Sequence, residues 1–76
     1  MLQEAIKKYG LDLIIEYGLG DKFYAVLRLC RYSYDYVVIC RGESDTMYGA
    51  IASLEGNLAP LNLASHVEKY TKQAHP

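Results

Sequence analysis

Alternation of side-chain character with a period of two runs from Leu11 to Tyr32 and constrains the fold more than any other feature. Such alternation is typical of a β-strand with one buried face. Between two alternating runs, the segment GLGD at 18–21 contains glycines that can adopt the positive φ of a tight turn. The sequence therefore predicts a β-hairpin, with strands over 11–17 and 22–32.

Each predicted strand has a strongly apolar face and a mixed face. In the first strand the apolar face carries Leu11, Leu13, Ile15 and Tyr17. The mixed face carries Asp12, Ile14 and Glu16. In the second strand the apolar face carries Phe23, Ala25, Leu27 and Leu29. The mixed face carries Tyr24, Val26, Arg28, Cys30 and Tyr32. A third strand over about 34–41 is rich in the Tyr, Val and Ile that strands prefer. Because the connections are short, we expect an antiparallel meander.

Helical spacing flanks this sheet on both sides. Residues 2–9 predict a short helix that stops at Gly10. Ser44 is a candidate N-cap with Asp45 in the first turn of a second helix that ends at Gly56 and Asn57. The apolar side of that helix is formed by Met47, Ala50, Ile51 and Leu54. A third helix is capped by Asn62 and carries Leu63, Val67 and Tyr70. The expected fold is α+β, in the order α-β-β-β-α-α, as a single domain over 1–73 with a frayed tail at 74–76.

Composition narrows the class of protein. The chain has 76 residues, 51% of them hydrophobic and 22% charged, which is a globular composition. Its net charge of −1 argues against a general binder of phosphate backbones. No apolar run approaches the roughly 20 residues that cross a bilayer. The segment MLQEAIKKYG lacks the pattern of a secretion signal, so we expect a cytoplasmic protein with reduced cysteines.

The register between strands 2 and 3 stays open at this stage. A loop with an odd number of residues puts Val37 and Ile39 in the core and Tyr34, Tyr36, Val38 and Cys40 outside; an even loop exchanges these two sets. An odd loop centred on Asp35 would also set Cys30 opposite Cys40. Two small buried hydrophobic residues are the favoured interpretation of these cysteines.

In either register the second face of the sheet keeps several apolar or aromatic side chains, and a monomer seldom leaves such a face bare. Three explanations compete. First, a flanking helix covers it. Second, it binds a protein, either foreign or a second copy, since Tyr and Arg are enriched in interface hot spots. Third, it stacks nucleic-acid bases. The candidate partner-binding residues are Tyr24, Arg28, Tyr32, Tyr34 and Tyr36 on the sheet, with Glu43 and Asp45 in the following turn.

Groups for catalysis or metal binding are sparse. The two histidines, His66 and His75, belong to no metal-ligand spacing, and no cofactor motif is present. Asp12 and Glu16 lie about 13 Å apart along an extended strand, too far for paired acid–base chemistry. We therefore expect neither a cofactor nor an enzyme.

The element order, with YDYVVICRGESDTMYGAIASL running from strand into helix, resembles the small anti-CRISPR proteins of Listeria prophages. That resemblance implies an inhibitor that presents acidic side chains to the DNA-binding groove of a CRISPR-Cas effector, with Glu43 and Asp45 in the comparable place. The chain departs from that group in its near-neutral net charge and in the presence of Arg28, Arg31 and Arg41 in the sheet. The same order also resembles small bacterial antitoxins with a fold similar to double-stranded-RNA-binding domains.

These observations predict a protein-binding inhibitor from a phage or mobile element that blocks a host-defence effector through an aromatic and acidic surface. Its location would then be the cytoplasm of the host cell. A nucleic-acid-binding or antitoxin-like module is the alternative of a different class. A homodimer is the third, because doubling the core stabilises a short chain.

Overall fold

Three antiparallel strands form one sheet in the order β1-β2-β3, and three helices accompany it. The computed structural model describes residues 2–32 and 35–73, and side chains within 2–30 and 35–69. Its elements are α1 (Leu2–Tyr9), β1 (Leu11–Gly18), β2 (Lys22–Tyr32), β3 (Asp35–Ser44), α2 (Met47–Leu58) and α3 (Leu63–Gln73). The predicted α+β class and the order α-β-β-β-α-α are confirmed.

The predicted β1–β2 hairpin is present, and its pairing is uninterrupted. Leu11 lies opposite Leu29, and the pairing continues to Gly18 opposite Lys22. The turn is one short 3-10 segment, in which Gly20 has φ 74° and Asp21 has φ 56°. Glycine adopts positive φ without steric cost, as the GLGD segment predicted. Asp is among the few other residues that tolerate this region.

A β-bulge at Ile39 decides the register of β3. Leu29 pairs with Val37, but Leu27 pairs with Cys40, so β3 has one extra residue between these pairs. Because a bulge shifts the side-chain alternation by one residue, Ile39 and Cys40 are both buried. Val37 lies with the core, as an odd loop predicted. The accompanying placement of Cys40 outside is wrong, because that prediction assumed unbroken alternation.

All three helices pack on the same side of the sheet. Leu27 of β2 and Leu54 of α2 are completely buried at its centre. The same core cluster receives Leu2 from α1, Leu58 from the end of α2 and Val67 from α3. The core therefore lies between the helices and the sheet face that carries Ala25, Leu27 and Leu29.

The start of α2 differs from the prediction. Thr46, with extended φ −124° and ψ 156°, is the N-cap, and its side chain accepts a hydrogen bond from the Gly49 N–H at 2.9 Å. Ser44 is the last residue of β3, and Asp45 precedes the helix. The strand continues past Arg41 because its backbone still pairs with β2, as in Tyr24 opposite Glu43.

The predicted end of α2 differs from the structure, whereas the predicted start of α3 agrees with it. The second helix passes through Gly56 and ends at Leu58, where packing of that leucine into the core outweighs the low helix propensity of glycine. The capping of α3 by Asn62 is confirmed, because its Oδ1 accepts from the Ser65 N–H at 3.2 Å.

Side chains of α2 also cover part of the outer edge of β3. Asn57 Nδ2 donates to the carbonyl oxygen of Arg41 at 2.7 Å, and the Glu43 N–H donates to Ser53 Oγ at 3.3 Å. These bonds occupy the backbone groups that a further strand would need, so this edge is blocked where α2 passes it.

Candidate functional site: the open face of the sheet

The sheet face away from the helices, here called the open face, holds the candidate site. The pairing and the alternation of side chains assign three positions to β1, four to β2 and four to β3. They are Asp12, Ile14 and Glu16; Tyr24, Val26, Arg28 and Cys30; and Tyr36, Val38, Arg41 and Glu43.

The first explanation, that a flanking helix covers this face, does not hold for the described part of the chain. The helices contribute their buried residues to the single core cluster on the opposite side. Tyr36 is 52% exposed and Val38 is 41% exposed, and both are large hydrophobic side chains of β3 on the open face. Helix length and order explain this result, because α2 follows β3 directly and crosses back over the face that carries Leu27.

Arg28 organises the centre of the open face. Its Cζ lies 4.6 Å from the centroid of the Tyr36 ring, a cation–π arrangement across the β2–β3 pair. On the other side, Arg28 Nε lies 3.7 Å from Asp12 Oδ2 on β1. Within residues 2–32 and 35–73, this buried Nε has no hydrogen-bond partner. The guanidinium is therefore held in place by one contact on each neighbouring strand.

Cys30 shares the carboxylate of Asp12. Its Sγ donates to Asp12 Oδ2 at 2.9 Å. This hydrogen bond raises the pKa of the Cys30 thiol above its usual value, with smaller contributions from desolvation and from the charge of Asp12, while Arg28 lowers it. Cys30 is thus an exposed thiol that is held protonated.

The sequence predictions for the two cysteines are corrected here. Cys30 pairs across the hairpin with Tyr36, and Cys40 pairs with Leu27, so the two thiols do not face each other. Cys40 is buried, its Sγ lies 3.8 Å from the Leu54 carbonyl oxygen, and burial raises its pKa. Only Cys40 fits the interpretation of a small buried hydrophobic residue; the bulge at Ile39 separates the two environments.

A shallow depression of about 200 Å³ lies on the open face beside Arg28. Its walls combine apolar and charged side chains: Ile14, Glu16, Val26, Arg28, Tyr36, Val38 and Arg41. Its small volume suits a protruding side chain of a partner rather than a drug-sized ligand, whose pockets are about 300–1,000 Å³.

Of the remaining predicted site residues, Tyr24 and Glu43 also lie on the open face. Tyr24 is half-buried, and its hydroxyl donates to the Leu19 carbonyl oxygen at 3.0 Å, which fixes the ring against the hairpin turn. Glu43 lies on the open face opposite Tyr24, whereas Asp45 lies beyond the end of β3. Tyr34 and the side chain of Tyr32 fall outside the described residues.

The candidate binding residues predicted from sequence did not include Asp12, Val38 or Ile14, although the alternation had placed Ile14 on this face and an odd loop had placed Val38 there. The sequence alone did not pair Asp12 with any residue of the second strand. Its contact with Arg28 depends on the register of the β1–β2 hairpin, where these residues are direct partners. The length of the GLGD turn was the one signal that could have placed them opposite each other.

Comparisons with known proteins found no match for the chain. No model of a protein family matches it, and neither a curated protein nor a solved structure matches it. Among the helices of the described residues, none has the length and apolar character to cross a membrane. In the same residues, no group of three His, Cys, Asp or Glu side chains converges in a way that could hold a metal ion.

Proposed function

We propose that this chain is a protein-binding module without a catalytic role, and that it binds its partner through the open face. The observation that carries the proposal is the exposed pair Tyr36 and Val38 beside an Arg28 that is already positioned. Tyr and Arg dominate interface hot spots because they combine a large contact area with directional polar groups.

The position of Arg28 supports binding in a second way. An arginine that is ordered before binding loses little side-chain entropy when a partner arrives. Stacking on Tyr36 and the proximity of Asp12 supply this order. A partner that offers a carboxylate or a backbone carbonyl to the guanidinium would therefore gain a contact at low entropic cost.

Charge on the open face favours a protein over a nucleic acid. Arg28 and Arg41 lie among the carboxylates of Asp12, Glu16 and Glu43. Phosphate backbones need a clear basic excess, which a near-neutral surface does not offer. A mixed surface instead matches a protein partner with its own pattern of charges, and that pattern sets orientation and specificity.

The narrower form of the proposal rests on the resemblance to anti-CRISPR proteins. In this form the partner is a subunit of a CRISPR-Cas effector, the chain is phage-encoded, and it works in the host cytoplasm. Glu43 and Asp45 would be its acidic contacts and Tyr24, Arg28 and Tyr36 its aromatic and basic ones. DNA cleavage by purified effector–guide complexes, with and without the protein, tests this form separately; unchanged cleavage rejects it.

Site-specific photo-crosslinking tests the broader proposal. A benzoylphenylalanine placed at Tyr36 or Val38 should crosslink to one protein species in cells that encode the chain. The same group at Ala52, which is exposed on α2 on the helical side, should not. Equal crosslinking at all three positions, or none at the open face, would reject the open face as the binding surface.

Binding of the crosslinked partner then measures the contribution of each side chain. We expect Tyr36→Ala and Val38→Asp to weaken binding by at least about tenfold, as hot-spot losses do. Tyr36→Phe keeps the ring under Arg28 and should retain most of the affinity, and Ala52→Asp is the control for added charge. If affinity falls steeply with salt and the captured species is a nucleic acid, the alternative class is correct.

A further inference from the structure

The two edges of the sheet are not equivalent. At the β3 edge, α2 bonds the Arg41 carbonyl and the Glu43 N–H, as described above. Those bonds also show which backbone groups of the sheet point outward. The backbone N–H and C=O groups of Arg41 and Glu43 therefore point away from β2. Because the residues of such a pair do not bond each other, the backbone groups of their partners Val26 and Tyr24 must point toward β1.

The same alternation identifies the outward groups of β1. Val26 and Tyr24 pair with Ile14 and Glu16, so the backbone groups of Ile14 and Glu16 point into the sheet. The N–H and C=O groups of Leu13, Ile15 and Tyr17 therefore point to the outer edge. No side chain in the described part of the molecule bonds them. An apolar edge strand of this kind is a template for a further strand.

Helix α1 cannot shield the whole of this edge. Its eight residues span about 12 Å, whereas the eight residues of β1 span about 26 Å. The helix is joined to β1 at the Leu11 end of the strand, and its Leu2 and Ala5 are buried. The half of β1 that contains Ile15 and Tyr17 lies beyond its reach, and Tyr17 is 61% exposed.

We propose that the occupant of this edge is β1 of a second copy of the chain, paired antiparallel about a two-fold axis at Ile15. In this register Ile15 faces its own copy, Tyr17 faces Leu13, and Ile14 faces Glu16 of the second copy. The exposed ring of Tyr17 is thereby covered by an apolar side chain. Two three-stranded sheets become one sheet of six strands, with all helices on one side.

Charge selects this register among its neighbours. An axis at Ile14 would set Asp12 opposite Glu16 twice, and an axis at Glu16 would set two glutamates face to face. Like charges directly opposite across strands are destabilising. An axis at Leu13 shortens the paired segment to residues 11–15 and brings the two α1 helices together. Only the axis at Ile15 gives seven paired residues, 12–18, without a carboxylate opposite another carboxylate.

Self-pairing also bears on the proposed function, although it does not depend on it. The dimer would place two copies of the open face side by side on one continuous surface. A partner with two-fold symmetry, or with two equivalent sites, would then bind with the advantage of bivalency. Loss of the dimer would weaken such binding without altering Arg28, Tyr36 or Val38.

Amide hydrogen exchange at two protein concentrations tests the pairing directly. The amides of Leu13, Ile15 and Tyr17 should be protected at high concentration and exchange quickly on dilution, whereas those of Ile14 and Glu16 should be protected at both. Sedimentation should show a monomer–dimer equilibrium over the same range. A monomer at all concentrations, or outward β1 amides that exchange quickly in the dimer, overturns the proposal.

A matched pair of substitutions tests the register. Ile14→Glu places a second carboxylate opposite Glu16 of the other copy, and Ile14→Lys places a cation there with a similar loss of apolar surface. We expect the dimer dissociation constant of Ile14→Glu to exceed that of Ile14→Lys by about tenfold, because each pair occurs twice. Adding Glu16→Lys to Ile14→Glu should restore the dimer. Equal constants for the two variants, or no restoration, overturn the register.

The open face provides the remaining control. Tyr36→Ala and Val38→Asp should leave the dimer dissociation constant unchanged while they weaken partner binding by at least about tenfold. If either disrupts the dimer, copies associate through the open face and the edge proposal is wrong. If both leave partner binding intact and Ile14→Glu still dissociates the dimer, the proposed function fails and the edge proposal stands.

Discussion

Gly42 of β3 lies directly against the backbone of Leu54 in α2. A methyl group at Gly42 would clash with the Leu54 nitrogen, lie 2.7 Å from its Cα and approach the Ala50 carbonyl oxygen at 2.6 Å. The absence of a side chain therefore sets how closely α2 approaches the sheet. Leu54 is completely buried as a result.

Gly42→Ala should lower the free energy of unfolding by about 1–3 kcal/mol or more, because backbone atoms must move to admit the methyl group. Urea unfolding followed by circular dichroism measures the change. Gly56→Ala is the matched control: nothing lies within 4 Å of its added methyl group, and the residue is inside α2. That variant should be more stable by about 0.5–1 kcal/mol, since alanine favours a helix. A neutral Gly42→Ala would contradict the close packing.

The N-cap of α2 gives a second prediction. Thr46→Ala removes the acceptor for the Gly49 N–H and should lower the free energy of unfolding by about 1 kcal/mol. Thr46→Ser keeps the acceptor and should be nearly neutral. Ser44→Ala loses only a long contact of 3.5 Å to the Thr46 N–H, so a smaller loss is expected. If Ser44→Ala costs more than Thr46→Ala, Ser44 is the true cap.

The third prediction concerns the hydrogen bonds from α2 to the outer edge of β3. Asn57→Ala removes the donor to the Arg41 carbonyl oxygen and should destabilise the chain by about 1 kcal/mol. Asn57→Asp keeps the size of the side chain but sets a carboxylate against that oxygen, so it should cost at least as much. In combination with Ser53→Ala, Asn57→Ala should also increase concentration-dependent association, because it uncovers the β3 edge. Light scattering over a series of protein concentrations would detect this association. A signal unchanged from that of the wild-type chain would show that the bulk of α2, rather than these two hydrogen bonds, excludes a further strand.

The fourth prediction concerns the alkylation of the Cys30 thiol and its dependence on pH. The hydrogen bond to Asp12 raises the pKa of Cys30, so the reactive thiolate forms only at higher pH. Asp12→Asn removes the negative charge and should shift the pH profile of alkylation by iodoacetamide to lower pH. In the folded protein the raised pKa favours the thiol form, so its contribution to stability is present below the unfolded pKa of cysteine and is lost as pH rises through the folded pKa.

Cys30→Ser is the control for that experiment. The remaining thiol, Cys40, is buried and should react only as the protein unfolds. Rapid alkylation of Cys40 in the folded protein would contradict its placement in the core. An unchanged pH profile in Asp12→Asn would show that the 2.9 Å contact does not control the Cys30 pKa.

Local pattern predicted the elements well but misplaced the junction between β3 and α2. The alternation over 11–32 predicted the first hairpin, because a half-buried strand demands that pattern whatever lies around it. Ser44 and Asp45 fit the rules for a helix start, yet continued pairing of β3 with β2 holds Ser44 in the strand and moves the cap to Thr46. Whether such a residue pairs in the sheet or caps the helix depends on the neighbouring strand. A local sequence pattern carries no information about that strand.

The candidate site was foreseen in its residue types more than in its geometry. Tyr36 and Arg28 were both predicted, but their stacking requires the exact placement of β3 against β2. Glu43 and Asp45 were predicted as a joint acidic turn, whereas only Glu43 lies on the open face. The contributions of Tyr32 and Tyr34 stay predictions.

By itself, the sequence determined the α+β class, the element order and the existence of a second apolar sheet face, because side-chain periodicity follows directly from helix and strand geometry. Tertiary structure alone decided that Ile39 and Cys40 are both buried, that Cys30 meets Asp12, and that the helices leave the open face uncovered. The physical reason is that each outcome depends on contacts between segments that are distant in sequence, and the bulge is the clearest case. One extra residue in β3 reverses the alternation at a point chosen by packing under α2, and packing is a property of several segments at once.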